Sequence, residues 1–225
     1  MKNQIIQGYV DEAATLIARY EAISSAQEYS TLLHLLPDKR CRVLDIGAGT
    51  GRDAAWFAAS GHDVLAVEPV AEFREAGAMR HGSRSIEWMD DVLPTLSHVF
   101  NRGEEFDLLV VNGVWQHLKD EQRRTSTRNL RLLSARDGLM IISLRHGPGA
   151  PTRPCFEVSS QDTIEFAASE GFQLIYIEER ESIQPQNRAA GVTWTWLVFS
   201  LPSIRALDTD KDREALNRKF HGAPS

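Results

Sequence analysis

Val43-Leu44-Asp45-Ile46-Gly47-Ala48-Gly49-Thr50-Gly51-Arg52-Asp53 runs from an apolar strand, through a turn with glycine at every second position, into the start of a helical stretch. Glycine adopts backbone conformations closed to other residues and lets a ligand lie against the main chain, so this turn is the first place to look for a binding site. Outward from it, Arg42 to Ile46, Val64 to Val67, Ile86 to Met89, Phe106 to Val111 and Leu139 to Leu144 are short runs, most with few polar residues. That is how parallel strands buried on both faces read. Asp53 to Ser60, Val70 to Arg80 and Asp120 to Ser134 between them are long enough for crossover helices. The alternation implies an α/β fold with an open, doubly wound sheet and right-handed connections.

The chain ends differently. Ser159-Ser160-Gln161-Asp162 reads as the cap of a helix stopping at Gly171, and Phe172 to Ile177 and Val192 to Leu201 read as strands. About fourteen polar residues join those strands, too few to require a crossover helix, so the pair is expected to be antiparallel. At the start, Ile6, Tyr9, Val10, Ala13, Ile17 and Tyr20 recur at helical spacing, and Leu32 to Leu36 form a second apolar pattern before Pro37. The expected organisation is a helical cap or lid over 1–37, a sheet domain over 38–201 and a charged tail over 202–225, in which Ile204, Leu207, Leu216 and Phe220 permit a loose helix.

Composition narrows the function. With 42% hydrophobic and 25% charged residues the 225-residue chain is an ordinary globular sequence. The net charge of −6 opposes non-specific nucleic-acid or anionic-membrane binding, and no run approaches the roughly 18 apolar residues of a membrane span. Cys41 and Cys155 lack metal or redox spacing and are expected to be reduced thiols. A cytoplasmic protein, monomer or homodimer, without a metal site is the expectation.

The dinucleotide fingerprint G-x-G-x-x-G would need glycine or alanine at 52, where this chain has Arg52, which weakens a nicotinamide reading. An acid two residues before the first glycine, then G-x-G-x-G, instead resembles motif I of the class I S-adenosyl-L-methionine (AdoMet)-dependent methyltransferases, and the likeness runs from Arg42 to Leu201. The resemblance implies a Rossmann-like, seven-stranded, mostly parallel sheet with one antiparallel strand. It also implies methyl transfer to an oxygen or nitrogen of a small-molecule acceptor, with S-adenosyl-L-homocysteine as product. An NAD-type oxidoreductase and a non-catalytic module on the same fold are the alternatives.

Carried over residue by residue, the resemblance makes Asp45, Gly47, Ala48, Gly49, Gly51 and Arg52 the cofactor loop. Glu68, followed by Pro69, stands twenty-one residues beyond Gly47, and its two acceptor oxygens suit both ribose hydroxyls. Asp90 or Asp91 would accept from the adenine amino group while the other caps a helix. Asn112, Gly113, Val114 and Trp115, at the end of the fourth strand, would floor the site beneath the methyl; the two prolines of DNA-base amino-methyltransferases are replaced by Gly113 and Val114. His117 is similar to a histidine that many small-molecule members place after this strand. It is read either as general base, working neutral near an ordinary pKa of about 6.5, or as a residue that shapes the pocket, with His146 as second candidate. Arg145 and Arg153 either fork an anionic substrate group or pair with surface acids. Tyr9, Arg19 and Tyr20 are lid candidates with equal packing readings, Cys155 is read as packing, and Trp194 and Trp196 as core.

Overall fold

The computed structural model describes residues 2–82 and 85–202, so the tail beyond Pro202, with its expected helix, lies outside the described residues. The elements are α1 (Lys2–Asp11), α2 (Ala13–Glu21), α3 (Ser25–Glu28), β1 (Arg42–Ile46), α4 (Arg52–Ala59), β2 (Asp63–Val67), α5 (Ala71–His81), β3 (Ile86–Met89), α6 (Ser97–Phe100), β4 (Phe106–Val111), a 3₁₀ turn (Trp115–His117), α7 (Asp120–Leu133), β5 (Ser134–His146), α8 (Ser160–Ser169), β6 (Gln173–Glu181), α9 (Pro185–Ala189) and β7 (Thr193–Ser200). The strands form one sheet in the order β3-β2-β1-β4-β5-β7-β6. Only β7 runs against its neighbours, inserted between β5 and β6.

Strand alternation sorts the core onto both faces of the sheet. Leu44, Ile46, Leu109, Val111, Ile142 and Leu197 pack on one face, under α7 and α8. Val43, Ala66, Leu108, Val110, Ile141 and Trp196 pack on the other, with Phe57 of α4 and with Tyr29 and Leu32. A third, smaller cluster joins α1 and α2 to α5 through Ala13, Leu16, Val70 and Phe73. The carboxyl ends of β1, β2 and β4 then open toward one side, beneath the cap.

Three local expectations change. The first helical pattern is broken at Glu12 into α1 and α2. Leu32 to Leu36 is a run of turns, because Tyr29 and Leu32 are drawn fully into the core and the chain bends to insert them. The β6–β7 connection holds one short helix, α9, opened by Pro185 at its first turn.

Candidate functional site

The main cavity, about 500 Å³, lies where β1, β2 and β4 end, roofed by α1 and α2 and closed at the side by the loop after β5. Gly47 and Gly49 have φ of +71° and +58°, which a side chain would strain. A Cβ on Gly47 would stand 2.3 Å from Val114, and one on Gly49 3.5 Å from the Tyr20 ring. Glu68, at the end of β2, turns back to this loop: Oε2 accepts from Gly49 N–H at 2.9 Å and Oε1 from Val70 N–H at 2.8 Å. Burial pushes its carboxyl up to about 7 against the pull of those two bonds. Each oxygen keeps a lone pair for a hydroxyl donor, so a cradle with no side chains next to a carboxylate fits the ribose end of the cofactor implied above.

Pro69, Ala48, Arg52, Asn112 and Gly113 also line the cavity. Arg52 is held bidentate by Asp53, with Nε to Oδ1 and Nη2 to Oδ2 both at 2.8 Å. Asp53 also accepts from Ser25, Tyr29 and Asn112, while Asn112 Oδ1 accepts from Ser143, whose hydroxyl in turn accepts the Gly113 N–H. Burial works to raise the Asp53 carboxyl, but Arg52 and these donors hold it below its ordinary value. Asp53 and Ser143 escaped sequence reading; only the adjacency of Asp53 to the glycine turn could have pointed to it.

Several expected contacts lie elsewhere. Asp45 is buried behind the loop, accepts from Ala54 N–H, and is pushed up by burial and by Asp53, so it anchors the start of α4. Gly51 does not line this cavity: it is the left-handed cap of α4, where a Cβ would sit 2.5 Å from the Trp88 ring. Asp90 points outward, 64% exposed and paired with Arg74 at 3.1 Å. Asp91 reaches the cavity, but its oxygens already accept from the N–H groups of Val92, His98 and Val99, which makes it the cap of α6.

Trp115 is not a floor or substrate residue. It is fully buried beneath the sheet, its Nε1–H donating to Thr163 Oγ1 at 3.2 Å, because the 3₁₀ turn rotates it away from the cleft. The indole in the cavity is Trp194, half-buried, with its Cη2 atom 3.8 Å from the place of a Gly113 Cβ. His146 also leaves the cavity. Neighbours on a strand face opposite ways, so with Arg145 facing the cavity His146 turns to Thr195 Oγ1 at 2.8 Å.

His117 is brought under α1, where Tyr9 Oη lies 2.8 Å from Nε2. The Pro154 carbonyl, 3.1 Å from Nδ1, can only accept, so Nδ1 carries the proton and Nε2 accepts from the Tyr9 hydroxyl. Burial, with help from Arg153 and Arg145, lowers the imidazole to about 4, so the ordinary value expected from sequence is replaced by a base that stays neutral far into acid. Arg153 does not reach for substrate: it pairs with Glu12 at 2.6 Å and its guanidinium lies 5.0 Å above the Tyr9 ring. Tyr20 lies against Phe73 and the glycine loop, and Cys155 lines the cavity with its thiol raised by burial.

A sheet of this order, a glycine cradle and an acid after the second strand define the Rossmann-like S-adenosylmethionine-dependent methyltransferase class. The profile of the family described as "Methyltransferase domain" matches residues 17–197, and the chain belongs to that family. Its fold is similar to 1,6-didemethyltoxoflavin-N1-methyltransferase from Burkholderia thailandensis, solved with 1,6-didemethyltoxoflavin and S-adenosylhomocysteine (TM-score 0.68, 22% identity, 90% of this chain and 89% of that one). It is also similar to a TehB-like SAM-dependent methyltransferase from Corynebacterium glutamicum (TM-score 0.60, 22%, 87% and 97%) and to N-methyltransferase NodS from Bradyrhizobium japonicum WM9 (TM-score 0.62, 17%, 80% and 97%). No curated protein matches the sequence. S-adenosylmethionine is the cofactor of this class, and no helix among the described residues is long and apolar enough to cross a membrane.

Proposed function

We propose that this enzyme transfers a methyl group to an oxygen or nitrogen of a small molecule, with Glu68 and the Gly47–Gly49 turn holding the cofactor and Tyr9 and His117 handling the acceptor's proton. The observation that carries the reading is that both sets of residues face one cavity: Glu68 is bonded to the glycine loop, and the Tyr9–His117 pair stands across from it. When bound, S-adenosylmethionine supplies an electrophilic methyl on a sulfonium, so the hard chemistry belongs to the cofactor. The chain's work is alignment, exclusion of water and proton transfer. Asp91, its carboxylate held by three backbone amides, and Val92 are read as wall beside the adenine, and Asn112 and Gly113 as the floor. An acceptor O–H or N–H gives its proton to Tyr9 Oη as the Tyr9 proton passes to His117 Nε2. The Pro154 carbonyl holds the imidazole in the one tautomer that can receive it. That the similar N1-methyltransferase binds the small molecule 1,6-didemethyltoxoflavin is consistent with a roofed cavity of this size.

Calorimetric titration with S-adenosylmethionine, S-adenosylhomocysteine and NAD is the test of the cofactor: the first two should bind and NAD should not. Labelled S-adenosylmethionine with a metabolite mixture should give a labelled small product. Turnover that stops with a chelator, or NAD binding as tightly as the sulfonium, would count against the reading.

A further inference from the structure

Charge along the cavity is unevenly compensated. Of the acids that line it, Asp53 pairs with Arg52, Glu68 with two backbone amides and Asp91 with three, while Glu28 lies in the field of Arg52 and Arg180. Two further arginines, Arg19 and Arg145, line the same cavity with no ion-pair partner within 4 Å among the described residues. Arg19 of α2 donates from Nη2 to Gln184 Oε1, a neutral amide, at 3.1 Å, and its charge also helps lower the Glu12 carboxylate without bonding it. Arg145, on β5, donates to the Gly147 carbonyl at 3.3 Å and meets the Cys155 thiol, but no carboxylate bonds its fork. Arg153 is discharged by Glu12 and adds nothing. Two cations with no bonded carboxylate on a cavity wall, in a protein of net charge −6, are available to an anion, and a low-dielectric wall concentrates their field. A structural arginine would have a carboxylate or several carbonyls; these two are arranged for something that arrives.

The register of the sheet adds a shape. Arg145 on β5 stands directly opposite Trp194 on β7, so the guanidinium and the indole are cross-strand neighbours on the cavity face. The indole edge approaches Gly113, whose lack of a side chain leaves the space between ring and floor open. A flat ring laid against Trp194 would present an edge substituent to Arg145 and its opposite edge toward Tyr9.

From this juxtaposition we infer that the methyl acceptor is a flat aromatic or heteroaromatic carboxylic acid, its carboxylate forked by Arg145 with Arg19 in support and its ring on Trp194. The inference rests on the methyltransferase reading and extends it to the acceptor's class. A phosphate ester would offer similar oxygens, but the planar fork of one arginine beside an aromatic face matches a planar carboxylate better than a tetrahedral group.

The test is calorimetry on the full chain saturated with S-adenosylhomocysteine, titrated with 2-, 3- and 4-hydroxybenzoate, the matching hydroxybenzamides and phenyl phosphate. At least one acid should bind tenfold or more tighter than its amide and than phenyl phosphate, about the effect of a charge-assisted hydrogen bond. Arg145→Met should erase that preference and Arg19→Met should reduce it, while S-adenosylhomocysteine affinity stays at the parent value and shows both variants to be folded. Acids and amides binding alike, no acid binding at millimolar concentration, phenyl phosphate binding best, or a preference that survives Arg145→Met each overturn the inference while leaving methyl transfer intact. Failure of S-adenosylhomocysteine itself to bind overturns the methyltransferase reading instead.

Discussion

At the scale of single residues, the site depends on two groups whose protonation the fold has moved. Glu68 is raised to about 7 from 4.5 by burial, so the folded state holds its proton more tightly than the unfolded chain. Its contribution to stability is present below about 4.5 and is lost as pH rises through about 7. Ribose hydroxyls donate to the ionised form, so cofactor affinity should rise with pH across about 7 and binding should release a proton. Titration in two buffers of different ionisation heat measures that release, and Glu68→Gln should abolish it while weakening binding by about 1.5–3 kcal/mol. His117 moves the other way, down to about 4. The unfolded chain takes up a proton there first, so this group costs stability as pH falls from about 6.5 toward 4. With the cofactor held saturating, kcat should therefore stay level from pH 8 to about 5 and fall only near 4. Tyr9→Phe and His117→Ala should each cost about a hundredfold in kcat with cofactor affinity unchanged. A profile breaking near 6.5 would return His117 to the base of ordinary pKa that sequence suggested. Position alone made His117 readable as the histidine after the fourth strand. Its partner Tyr9 lies 108 residues earlier, and desolvation exists only once the cap covers it.

Among elements, those whose burial is set by the sheet were legible and those set by a neighbour were not. Arg42–Ile46 and Phe106–Val111 appear with the bounds their apolar runs suggest, because both faces of a central parallel strand are covered whatever lies outside. The rim is different. β5 begins at Ser134, five residues before its apolar run, through a register shift against β4 and the left-handed Asp137 that a reading of Asp137-Gly138 takes for a turn. α1 carries the sharpest such dependence: a Cβ on Gly8 would stand 2.1 Å from the Thr152 carbonyl oxygen, so helix and loop meet with no side chain between them. The same seam carries Arg153–Glu12, a Thr152–Glu12 hydrogen bond and, one residue on, Tyr9. Gly8→Ala should lift α1 from the loop and spoil the Tyr9–His117 distance. Helix propensity favours the alanine by about 1 kcal/mol and offsets only part of the clash, so the melting temperature should fall, and kcat should fall by about tenfold or more, as misplacement of about 1 Å can. Equal kcat in the variant would mean that α1 does not set the geometry of the site.

Across the whole molecule, two large clusters hold the sheet from both faces and a separate small one holds the cap, and that division has a consequence for function. The residues of 1–37 fall on both sides of it. Tyr29 and Leu32 belong to the main core, stacked with Trp56 and packed near Trp196, and Ser25 donates to buried Asp53. α1 and α2 instead meet the body through Val70, Phe73, the Arg153–Glu12 pair and the bond of Glu21 to Thr50. We therefore place the removable lid at residues 1–21. Deleting them should leave a cooperatively folding protein with its sheet signal in circular dichroism intact, because neither main cluster loses a buried member. The cofactor cradle, built from the glycine turn and Glu68, should still bind S-adenosylhomocysteine, weakened by the lost roof. Turnover should vanish, since Tyr9 is gone and His117 opens to water, where its imidazole returns toward an ordinary value and its pull on an acceptor proton is no longer shielded. A deletion variant that still turns over would remove the cap from the mechanism. One that aggregates while the Tyr9→Phe variant stays folded would show instead that residues 1–21 are part of the core.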